Sequence, residues 1–139
     1  MAHDTLGRAA QATAWRATAL ALLGRHEEAE RTLIDGEGSD ESPLFQVRVD
    51  IARARAWRLI GRPEHARPIL NSAVAHAEEH GHRFFQLIAH HEAALVATDD
   101  VDRARHERQV KALAASIAGS LPREDQARFL AQPWDKPIV

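Results

Sequence analysis

No cysteine occurs among the 139 residues, which excludes a disulfide framework and thiol chemistry and fits a reducing compartment. Aromatic residues make up only 5% of the chain, and seven glycines and six prolines leave few points at which a helix must break. No apolar run approaches the roughly 20 residues of a membrane span, and Met1 to Arg8 lacks the pattern of a signal peptide, so no membrane partner and a cytoplasmic location are expected. Charge is also nearly balanced. A formal net charge of −2 provides no bulk attraction for nucleic acid, and none is expected as a partner. What remains is 45% hydrophobic content, much of it alanine, which is enough apolar surface for one domain built of closely packed helices. The expected fold class is all-α.

The chain repeats itself. The stretch Leu23 to Ile34, LGRHEEAERTLI, returns 37 positions later as IGRPEHARPILN. Gly24, Arg25, Glu27, Ala29 and Leu33 align with Gly61, Arg62, Glu64, Ala66 and Leu70, and a fainter echo over Thr98 to Arg108 keeps Ala104. A period of this length points to stacked helical hairpins. Glycine after an apolar helix end supplies a left-handed C-cap, so Gly24 and Gly61 should each end a helix. Pro63 suits a first turn, and Glu27, Glu28 and Glu64 favour the positive end of the helix dipole. Ala29 and Ala66 are small where two helices must approach, and Leu33 and Leu70 lie four residues on, on the same face.

The order small residue, apolar helix end, Gly, charged pair, Ala, three residues, Leu resembles the centre of a tetratricopeptide (TPR) repeat. In the second copy Ala54, Trp57, Gly61, Ala66, Leu70 and Ala73 fall on that family's preferred positions; in the first, Ala17, Leu20, Gly24, Ala29 and Leu33 do, while Gly36 stands where the last Ala belongs. The spacing exceeds the usual period of about 34 and no copy has the closing proline, so the chain is similar to the longer, degenerate repeats of bacterial signalling and transcriptional regulators. Those carry sensor or scaffold TPRs beside ATPase, kinase or cyclase domains, and LPREDQARFL resembles their C-terminal ends. The resemblance implies about three antiparallel helix pairs stacked as a right-handed solenoid with a C-terminal capping helix. It also implies a scaffold for protein contacts.

Taken in order, helical spacing predicts helices from Asp4 or Thr5 to Leu23, His26 to Ile34, Leu44 to Ile60, Pro63 to His80, Arg83 to Thr98, Val101 to Ala118 and Leu121 to Ala131. An acidic loop, Asp35 to Pro43, separates the second from the third. Pro68 should kink the fourth helix, or else that helix begins later than Pro63. Phe84 and His91 are expected inside, and Leu121, Phe129 and Leu130 are expected to seal the last hairpin. Residues 1–132 form one domain and 133–139 a tail.

Chemistry is thin. His76, Glu79 and His80 form an HxxEH pattern, in which histidines four apart could reach one zinc and a glutamate could activate its water. Such enzymes need a further ligand and a larger chamber, so His76 and His80 are the weakest of the site candidates, neither an enzyme nor a cofactor is expected, and a zinc-dependent hydrolase is the second alternative. The cluster His80, His82, His90 and His91 could bind metal or sense pH, although His90 and His91 point about 100° apart on one helix. The stronger signal is basic. Arg48, Arg55, Arg58 and Arg62 fall within an arc of about 80° and, in a TPR register, line a groove where guanidinium groups could clamp an acidic peptide. The same arginines could instead pair with Glu64 or with the acidic loop.

The reading is a non-catalytic interaction module that binds a protein or peptide of acidic character and could form a homo-oligomer. The alternative is a C-terminal sensor or dimerisation part of a larger ATPase-, kinase- or cyclase-type regulator. Its mark would be an uncovered apolar face on the first helix at Leu6, Trp15 and Leu22.

Overall fold

The computed structural model describes residues 2–36 and 43–131. Among them are seven helices and no strand: α1 (Ala2–Leu22), α2 (His26–Asp35), α3 (Pro43–Leu59), α4 (Pro63–Glu79), α5 (Arg83–Leu95), α6 (Asp100–Ala118) and α7 (Arg123–Leu130). The fold is all-α, as composition and periodicity predict. Most of the expected acidic loop, the 133–139 tail and the side chains of Leu6 and Leu44 lie outside the described residues.

Three glycines end helices in the same way. Gly24, Gly61 and Gly81 take φ of +79°, +81° and +68°, the left-handed region that glycine enters without a Cβ penalty. After each, the next N–H reaches back five residues to close the helix: Arg25 to the Leu20 carbonyl at 2.9 Å, Arg62 to Trp57 at 2.9 Å and His82 to Ala77 at 3.0 Å. The turn between α5 and α6 has no glycine and works differently. There the Asp99 carboxylate accepts the Asp102 N–H at 2.7 Å, with Asp99 itself extended at φ −139° and ψ 168°. An extended cap requires the chain to leave the preceding helix early. Helix α5 stops at Leu95 and not at Thr98, with the Val96 carbonyl taken up by the Arg67 Nε at 2.6 Å.

Helix α1 starts at Ala2, ahead of Asp4 and Thr5, and α7 starts after Pro122, later than Leu121. Helix α4 runs unbroken from Pro63 through Pro68, so it does not begin later. Pro68 is exposed there.

Four of the positions aligned in sequence share one buried cluster. Ala29 and Leu33 of α2, and Ala66 and Leu70 of α4, are all fully buried in one cluster with Ala17, Leu20, Trp57 and Ile60. Gly36 breaks the repeat for a steric reason: a Cβ there would collide with the Thr13 methyl of α1 and lie 2.8 Å from the Thr32 carbonyl. The third echo is of another kind. Ala104 is half-buried, and the inward stripe of α6 is His106, Val110, Ala114 and Ala118.

Each helix from α1 to α7 packs on a neighbour in the chain, and α3 additionally lies against both α1 and α5. Helices α4 and α6 both flank α5 without approaching one another, which leaves a cleft between them. As a result α5 is buried nearly all round, from Leu87 to Ala94, including three polar residues. Phe129 of α7 packs on Leu87, Val110 and Ala114, but Leu130 is exposed. Phe84 is likewise exposed, and Phe85 takes the inner position.

Candidate functional site

Two polar clusters surround α5. The first faces α3. The Glu92 side chain is only 1% exposed and is held by two guanidinium groups: the Arg55 Nε donates to Oε1 at 2.8 Å and the Arg58 Nε to Oε2 at 3.1 Å. Arg55 and Arg58 lie three apart on α3 and so share a face. A buried carboxylate needs such charge-assisted partners, because desolvation without them costs several kcal/mol.

The predicted arginine stripe is thereby divided. Arg55 and Arg58 meet at Glu92, not at Glu64. Arg48, seven residues before Arg55, lies on the same side of α3 and is exposed. Arg62 stands beyond the end of α3, past the left-handed Gly61, as the N-cap of α4, so it does not continue the α3 face. Nearby, Asp50 accepts from Gln46 Nε2 at 2.7 Å and lies 3.6 Å from Arg53. Burial raises its pKa above the usual aspartate value, while that hydrogen bond and the charges of Arg53 and His76 pull the other way.

The second cluster faces α4 and α6. His90 and His106, both buried, meet Nδ1 to Nδ1 at 2.9 Å. Their outer nitrogens face carboxylates, His90 Nε2 at 3.7 Å from Glu78 and His106 Nε2 at 3.8 Å from Asp102, and Arg105 holds Asp102 at 2.6 Å. The pair floors the cleft, whose volume is about 290 Å³ and whose walls include Asn71, Arg105 and Gln109. For His90, burial and then the His106 charge lower the pKa, with Glu78 opposing. For His106, burial lowers it, with Asp102 opposing.

Of the predicted histidine cluster, His90 and His91 are both buried, whereas His80 is exposed. His76 is half-buried on α4, and His80 caps the end of that helix. Among the described residues no group of three His, Cys, Asp or Glu side chains is placed to hold a metal ion. Likewise no helix among them is long and apolar enough to cross a membrane.

Sequence reasoning missed Glu92 and His106. Glu92 was detectable as the single acid within Leu87 to Val96, a stretch too apolar for an ordinary surface helix. His106 stands one turn before Val110, Ala114 and Ala118, so it extends their buried stripe.

Comparison with protein-family models, with curated proteins and with solved structures gives no match.

Proposed function

We propose that this chain is a non-catalytic, cytoplasmic interaction module that receives a protein or peptide segment of acidic character along the arginine-bearing side of α3. Its helices are taken as three antiparallel pairs, α1/α2, α3/α4 and α5/α6, stacked as a TPR-like right-handed solenoid with α7 as the cap. The side-by-side packing of α1, α3 and α5 and the repeated glycine turns favour that arrangement.

One observation carries the binding reading: the Arg55–Glu92–Arg58 cluster. Glu92 fixes the Nε side of each guanidinium, Arg55 at 2.8 Å and Arg58 at 3.1 Å. Arg55 remains 30% exposed and already ordered, which lowers the entropy lost when it meets an incoming carboxylate.

Binding of a labelled oligoglutamate peptide, followed by fluorescence anisotropy, tests the reading. Saturable binding that weakens with added salt is expected. Arg48→Glu, on the same side of α3 as Arg55, should reduce affinity at least several-fold without touching Glu92. Equal affinity for an uncharged peptide of the same length would remove the acidic-partner reading.

A further inference from the structure

Helix α1 has two apolar faces and the fold uses one. Ala14, Ala17, Leu20 and Ala21 are buried against the body of the protein. On the opposite side Ala12, Trp15, Ala19 and Leu22 are exposed, at spacings of three, four and three residues that align them in one stripe. Trp15 is 58% exposed, Leu22 56% and the adjoining Leu23 71%. From residue 12 to residue 23 the only charged side chain is Arg16. Single exposed leucines are ordinary, whereas a tryptophan and a leucine aligned on an almost uncharged helix face, with a further exposed leucine adjoining, mark a contact surface.

We propose that the occupant of this face is a second copy of the chain, docked α1 against α1, antiparallel, about a two-fold axis level with residue 17. The order of side-chain sizes selects this arrangement. In an antiparallel pair centred there, Trp15 of each copy lies opposite Ala19 of the other, and Leu22 lies opposite Ala12, so every large residue meets a small one. A parallel, in-register pair would set tryptophan on tryptophan and alanine on alanine, crowding one level and leaving a void at the next. Arg16 lies at the edge of the stripe and keeps its charge in solvent. A two-fold contact of this kind uses the same patch on both copies and closes without forming a fibre. The patch is one face of one helix, so a reversible, concentration-dependent dimer is expected. The proposal does not depend on the acidic-peptide reading, which concerns α3.

Because the chain has no cysteine, introduced thiols report the register cleanly. Sedimentation equilibrium of the unaltered chain should reveal a concentration-dependent dimer, and Trp15→Glu should return it to monomer while leaving the melting temperature and helical circular dichroism unchanged. Ala12→Cys and Leu22→Cys proteins, mixed and mildly oxidised, should give mainly the mixed disulfide by mass spectrometry, with position 12 of one copy joined to position 22 of the other. Two Ala12→Cys chains are held about 15 Å apart along the axis in this register, too far for a disulfide. A chain that stays monomeric up to millimolar concentration would overturn the proposal. So would a dimer that survives Trp15→Glu, or self-linked Ala12→Cys pairs at equal or higher yield.

Discussion

His90 and His106 approach Nδ1 to Nδ1 at 2.9 Å, a distance at which one nitrogen carries the proton and the other must be bare. The contact joins α5 to α6 and cannot survive with both rings doubly protonated. Burial lowers the pKa of each ring, so the unfolded chain binds protons more readily than the folded one. The stability due to this pair is therefore complete above the ordinary histidine pKa and lost as pH falls through the lowered folded values. Urea unfolding midpoints should drop on acidification from about pH 6.5. His106→Gln, which cannot take up a proton, should flatten that dependence.

Glu92 has two cationic partners, so the loss of either one leaves it paired. Arg55→Ala and Arg58→Ala should each destabilise modestly, and the double replacement by more than the sum, about 3–5 kcal/mol, because the carboxylate is then buried alone. Adding Glu92→Gln to the double variant should recover part of the loss. Denaturant titration of the full set measures the coupling.

Gly61 and Gly36 should respond differently to alanine. At Gly61 nothing lies within 4 Å of a new Cβ, so only the left-handed backbone opposes it, at about 1 kcal/mol. At Gly36 the backbone is ordinary, φ −93°, but the Cβ collides with the Thr13 methyl, and a cost of about 1–3 kcal/mol is expected. Thr13→Ser should relieve part of the Gly36→Ala cost, the close approach to the Thr32 carbonyl remaining, and leave Gly61→Ala unaffected. Thermal melts of the four proteins decide it.

Asp99→Ala should cost about 1 kcal/mol by removing the side-chain cap of α6, and Asp99→Asn should cost less, since its amide oxygen can accept the same N–H. Hydrogen exchange should quicken first in the opening turn of α6.

The residues that made the fold legible act locally. Gly24 and Gly61 end helices because only glycine enters the left-handed region freely, and Ala29, Leu33, Ala66 and Leu70 mark one inward face through spacing alone. Helix order and the repeat follow from such short-range rules. Gly36 looked like a defect in the first copy, because its explanation, Thr13, belongs to another helix.

The site was legible only in half. Arg55 and Arg58 could be assigned to one face of α3, since helical geometry places residues three apart together. That they meet Glu92, 37 and 34 residues away, depends on how α3 packs against α5. The sequence by itself determined an all-helical chain and the glycine turns that end its helices, because periodicity and capping operate within a turn or two. Tertiary structure alone decided that α5 would be enclosed, that Glu92 would be buried with two arginines and that His90 would face His106. Those outcomes depend on which helices become neighbours, and burial and electrostatics act across that distance without regard to position in the chain.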